Sequence, residues 1–131
     1  MTDLSALVRG LGALRSVEPP RLLGVGWATV DVERTFDDLD IEAPLSEEDA
    51  LLGARACRID LDGTAILVLE PTTEGRLAAA LARRGEGICA LYVAASQPLG
   101  PTARPTALGV PGRLLPHDQP WGPFVIEVAE R

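Results

Sequence analysis

The chain has 131 residues, enough for one domain around a single buried core. Hydrophobic residues make up 47% and charged residues 24%, an ordinary globular balance, and no apolar run reaches the ~20 residues of a membrane-spanning helix. The formal net charge of −7 argues against nucleic acid, whose phosphates call for clustered cations. All twelve basic residues are Arg, and Lys and Asn are absent, a bias of GC-rich genomes and of thermophilic habit alike. The first residues lack a basic stretch followed by an apolar core, so no secretory signal is expected and the protein reads as cytoplasmic. Cys57 and Cys89 lie in apolar, strand-like segments and are expected as buried, reduced thiols, and the one histidine, His117, excludes a histidine cluster.

Residues 3–16 read as a helix, with Leu4, Leu7, Val8, Leu11 and Leu14 on one face and Pro19-Pro20 ending it. This segment, 1–20, is an amphipathic arm expected to pack on the domain or on a partner subunit. Residues 22–30 form the first strand. One of its faces is small (Gly24, Gly26, Ala28), leaving room above the sheet, and the other is bulky (Val25, Trp27), suited to packing under a helix. Trp27 is therefore expected in the core rather than as a ligand platform. A helix follows over 31–39, with Val32, Phe36 and Leu39 at near-helical spacing. The acidic run 40–50 reads as a solvated loop or short helix, too sparse in alternating oxygen ligands for a hard-cation loop.

Strands over 54–61 and 64–70 form a hairpin at Asp62-Gly63, a two-residue turn in which both positions accept positive φ. A helix over 73–84 is capped by Thr72 or Thr73, carries Leu77, Ala80 and Leu81 on its buried stripe, and exits at Gly85. A strand spans 88–94. The Pro-rich segment 94–107 excludes helix, and strands at 108–115 and 124–129 flank a loop holding His117 and Trp121. His117 reads as a surface residue, and Trp121 as loop packing, a lid or a partner contact.

The stretches Val25–Asp31 with Glu33-Arg34, Leu69-Glu70-Pro71, Gly85-Glu86-Gly87 and Phe124–Val128, in this order and spacing, resemble the vicinal oxygen chelate superfamily. That group contains glyoxalase I, methylmalonyl-CoA epimerase and bleomycin-resistance proteins, and the likeness is to its epimerase-like branch. The resemblance covers most of residues 21–131. It implies an α+β fold of paired βαβββ modules, whose mixed sheet curls around a ligand cavity. The second module would lack its helix, replaced by the Pro-rich segment.

Members of the superfamily hold a divalent metal with four inward-facing side chains. By the resemblance these positions fall at Gly24, Leu67, Ala90 (Cys89 in the adjacent register) and Glu127. Gly24, Leu67 and Ala90 offer no side-chain donor, and one carboxylate cannot fix a catalytic metal. The expectation is a chain without metal or cofactor in which Lewis-acid stabilisation of an enolate is lost. It is expected to be a glyoxalase-like small-ligand-binding or accessory protein, the alternative being a metal-dependent isomerase or lyase. A third possibility is a structural dimer whose cavity is filled by side chains. The cavity candidates are Glu127, Tyr92, Ala90, Leu67 and Gly24. Glu127 reads either as a lone acid in an apolar cavity or as a carboxylate satisfied by Tyr92 or an Arg. Tyr92 either lines the cavity or exposes its hydroxyl. The expected partners are a second copy of the chain and a small apolar or acyl ligand, with neither nucleic acid nor membrane.

Overall fold

The computed structural model describes residues 21–116 and 122–129. The expectations for the arm over 3–16, for His117 and for Trp121 lie outside these residues. The elements in chain order are β1 (Leu22–Ala28), α1 (Val32–Leu39), β2 (Glu47–Asp49), β3 (Ala54–Leu61), β4 (Thr64–Pro71), α2 (Arg76–Arg84), β5 (Gly87–Ala94), β6 (Arg104–Pro105), β7 (Pro111–Leu114) and β8 (Phe124–Val128).

Local chemistry sets most boundaries. Asp31 caps α1 by accepting from Arg34 N at 3.1 Å, Val32 and Phe36 face inward one turn apart, and Asp40 ends the helix with φ 56°. Leu39, at near-helical spacing with them, is the last residue of the helix and is 55% exposed, so only Val32 and Phe36 are buried. The β3–β4 hairpin turns as expected, with φ 49° at Asp62 and 85° at Gly63, the doubly left-handed pair of a type I′ turn.

At α2 the expected threonine cap is absent. The N-cap is Gly75 with no side-chain bond, and Leu77 N donates to Leu52 O at 3.1 Å instead. The neighbouring turn thus supplies the acceptor a capping side chain would have given. Leu77 and Ala80 are buried, as the periodicity requires. The acidic run also departs from expectation. It contains β2, paired antiparallel to β3, and Asp49 within it is completely buried. The Pro-rich segment is not wholly loop either, since it holds β6, which pairs with β7 beyond it.

Among the described residues, eight strands form one sheet in the order β2-β3-β4-β1-β5-β8-β7-β6. The order reads the same from the centre outward in both halves. β1 pairs parallel with β4 and β5 parallel with β8, while β1 and β5 meet antiparallel at the seam. This is the α+β, βαβββ-type curled mixed sheet expected from the sequence. α1 follows β1 in the first half, whereas residues 95–103 follow β5 in the second without a helix. The outermost strands come round to meet, for Ala50 N and Leu51 N both donate to Pro105 O, at 3.0 and 3.2 Å.

Strand alternation divides the core. The inner face gathers Leu67, Leu69, Ala90, Tyr92, Ile126 and Val128 together with Leu52 and Leu77. The outer face of β3 and β4 holds Cys57, Ile59 and Val68 beneath Val32 and Phe36 of α1. Both cysteines are free and buried, as anticipated. Trp27 is not in the core but 42% exposed. Its face of β1 lies at the seam of the two halves, beyond the residues that α1 covers, and the small inner face is the buried one.

Candidate functional site

The inner face is where four of the five candidate residues meet. Gly24 lies opposite both Ala65 and Tyr92, and Gly26 lies opposite both Leu67 and Ala90. A bulge follows, with Trp27 facing Ile88, so that Cys89 is the extra residue and is buried beside Ala90. The glycines of β1 do not leave room above the sheet. A Cβ on Gly26 would lie 2.8 Å from Leu69 Cδ1 and 3.0 Å from Ala90 Cβ, and one on Gly24 would lie 3.2 Å from Ala65 O. Neighbouring side chains have filled the space the small face offered. Leu67, Ala90 and Tyr92 each have 0% exposure, which leaves no surface for a ligand to touch.

Tyr92 occupies the centre of this face. Its hydroxyl donates to Asp49 Oδ2 at 2.9 Å, so neither an exposed hydroxyl nor a cavity wall describes it. Asp49 also accepts from Ala107 N at 3.0 Å and, through Oδ1, from Leu52 N at 3.0 Å. Burial raises the Asp49 carboxyl above its ordinary value, against the lowering effect of these donors. Burial, then the neighbouring Asp49 charge, pushes the Tyr92 phenol well up. Burial likewise pushes the Cys89 thiol up to about 12, which makes it a poor nucleophile. Sequence reasoning missed Asp49 because its flanking acids are exposed and two of its three partners, Tyr92 and Ala107, are far away in the chain.

Glu127 does not join this group. Ile126 and Val128 point into the inner core, and Glu127 alternates to the outer face, opposite Arg113 on β7. Arg113 Nη2 donates to Glu127 Oε1 at 2.6 Å, and the Glu127 side chain is 12% exposed. The carboxylate is thus satisfied by an arginine, one of the two readings the sequence left open, and it lies across the sheet from the other family ligand positions.

Two carboxylate networks sit at the ends of β1 and β4. Glu86, in the Gly-Glu-Gly turn, accepts from the Thr29 hydroxyl and Val30 N, each at 2.8 Å, and from Arg34 Nη2 at 2.7 Å. The Val30 N–H, the Thr29 hydroxyl and the Arg34 guanidinium hold its carboxyl below the usual range. Asp31, Glu33 and Glu70 have oxygens within 4.8 Å of one another. A cation there would have to displace existing partners. Arg55 donates to Glu33 at 2.8 Å and to Glu70 at 3.1 Å, Val32 N donates to Glu70 at 3.0 Å, and Asp31 caps α1. Near the Gly-Glu-Gly turn, a cleft of about 60 Å³ is bordered by Ala28, Ala80, Arg84 and Cys89. That holds a water or two, far below the ~300 Å³ at which pockets for organic ligands begin.

No family model and no curated protein matches the chain. Solved structures do. A hypothetical protein from Bacillus halodurans shares the fold at a TM-score of 0.68 and 17% identity, over 87% of this chain and 96% of that one. Methylmalonyl-CoA epimerase from Mycobacterium tuberculosis aligns at 0.66 and 21% identity, over 85% and 88%. A Streptomyces coelicolor methylmalonyl-CoA epimerase, in complex with 2-nitronate-propionyl-CoA, aligns at 0.65 and 20% identity, over 83% and 93%. The chain has the fold of the vicinal oxygen chelate superfamily. Within it, the structures it is similar to include methylmalonyl-CoA epimerases.

Proposed function

We propose that the protein is a non-catalytic, metal-free member of this fold, an accessory protein whose inner face serves packing rather than chemistry. The observation that carries the reading is the state of the four family ligand positions. Gly24, Leu67 and Ala90 bring no donor and are closed over by core, and Glu127 lies on the opposite face bonded to Arg113. A Lewis-acid site needs several donors converging on one point, and this donor set has none that converge. Completely buried inner residues also favour an accessory role over ligand binding within the sheet. A partnership with a second copy of the chain belongs to the same proposal, to be read by sedimentation.

The test is to equilibrate the purified full-length protein with Co²⁺, Ni²⁺ or Zn²⁺, desalt it, and measure metal per chain. Exchange of the α-proton of an acyl-CoA thioester in D₂O is followed alongside. The expected result is metal far below one per chain and no exchange above the protein-free rate. Stoichiometric metal, or exchange abolished by chelation, would overturn the proposal in favour of an isomerase.

A further inference from the structure

The sheet closes on itself by other means than those that join its strands. Neighbouring strands are held by backbone ladders, eight residue pairs long between β3 and β4 and five between β5 and β8. β2 and β6 stand at the two ends of the strand order. Among the described residues, these ends meet through one carbonyl and one carboxylate. Pro105 O accepts from both Ala50 N and Leu51 N, and Asp49 Oδ2 accepts from Ala107 N and from the Tyr92 hydroxyl. The segment beyond the junction, residues 104–110, is bonded to itself: the Thr106 hydroxyl donates to Val110 O at 2.7 Å, and Gly109 N to Thr106 O at 3.0 Å. It also covers the inner face. Ala107 is 3% exposed, Leu108 and Val110 pack on the inner cluster, and Leu108 Cδ2 lies 3.6 Å from where a Cβ on Gly24 would stand.

We propose that residues 104–110 are a strap latched over the inner face by Asp49, and that the strap lifts as one unit when the latch is lost while the rest of the sheet stands. Lifting breaks the junction contacts and at most the two residue pairs between β6 and β7, and it leaves the longer ladders intact. It also returns the Asp49 carboxylate to water. Inside the closed sheet that group is completely buried, so the cost of its desolvation works against the bonds it makes. The two opposing effects set the opening of the strap below the unfolding of the whole sheet in free energy. An open strap uncovers the Gly24 end of the inner face and the Tyr92 hydroxyl. This adds to the reading above: the interior is packed only while the strap is shut.

Backbone hydrogen exchange on two variants of the full chain tests this. In Asp49→Ala, Ala107 N and Leu52 N lose their acceptor directly, so the informative amides are Ala50 and Leu51, whose acceptor Pro105 O is untouched. Both should exchange about tenfold faster or more, by a common factor, with amides of β1, β4 and β5 unchanged. The apolar dye 1-anilinonaphthalene-8-sulfonate should bind this variant and not the native chain. Leu108→Ser acts from the strap's own side and leaves Asp49 in place. It should release Ala50, Leu51 and Ala107 together, and it keeps the test decisive if Asp49→Ala fails to fold. Acceleration spread over the whole sheet would overturn the proposal. So would acceleration confined to Ala107 and Leu52 in Asp49→Ala, or no acceleration in Leu108→Ser.

Discussion

Asp49 is the residue on which the inner face turns. It is a fully buried carboxylate with three donors, two of them backbone N–H groups and one the Tyr92 hydroxyl. A buried charge of this kind is tolerable only while its partners stay in place. Tyr92→Phe removes one donor without changing the packing volume much, and should cost about 1–3 kcal/mol in urea unfolding. The sign of its pH dependence follows from the raised carboxyl. A group whose folded pKa lies above its unfolded value adds stability below the unfolded pKa, and that contribution is lost as pH rises through the folded pKa. Losing the Tyr92 bond raises the folded value further. The deficit of Tyr92→Phe should therefore be greatest near neutral pH and shrink on acidification, and a deficit that grows in acid would contradict the assignment.

The same residues mark where sequence reading stops. Asp49 sits beside two exposed acids, and the partners that bury it, Tyr92 and Ala107, lie 43 and 58 positions away; its one local donor, Leu52 N, is a contact that a solvated turn makes as well. Glu127 was legible as a carboxylate but not as to face, since in a strand a shift of one residue sends the side chain across the sheet. The bulges at Leu22/Gly24 and Gly26/Trp27 introduce such shifts between β1 and β5, while β8 itself pairs with β5 and β7 in regular register.

At the scale of elements, the turn between α2 and β5 acts as a clamp on the start of α1. Glu86 holds the end of β1 through Thr29 and Val30 and reaches Arg34 within α1. Its folded pKa lies below the unfolded value, so its contribution is fully present above the usual 4.5 and lost as pH falls through the folded value. Glu86→Gln should lower stability at neutral pH and flatten its decline between neutral and strongly acidic conditions, as read by thermal melts across pH. An unaltered acid limb would show that the clamp is not coupled to folding. The hairpin and the buried stripe of α2 were readable because a positive-φ turn and a helical period are local. The β2 and β6 strands were not, since short edge strands form by meeting distant partners rather than by propensity.

At the scale of the molecule, the sheet has nearly closed on itself. Ala50 and Leu51 of one end donate to Pro105 of the other, and Asp49 takes Ala107 N across the same junction. Terminal strands of an open sheet exchange their amide protons readily, but here Leu51 and Ala107 should exchange nearly as slowly as amides of β1 and β4. Exchange at loop-like rates would mean that the ends separate in solution. The curled sheet of βαβββ type was anticipated from the resemblance, whereas the strand order, 2-3-4-1 and 5-8-7-6, comes from the structure.

A filled interior also limits what substitution could build on it. Grafting a histidine onto β1 at Gly24 would set its Cβ 3.2 Å from a backbone oxygen, and an imidazole there would collide with a packed interior before meeting any ion. A ligand at Leu67 or Ala90 would trade a fully packed site for an unsatisfied polar group. Each single step toward a metal site at these positions therefore lowers stability before it gains chemistry, so a donor set is more readily built on the outer face than on this one.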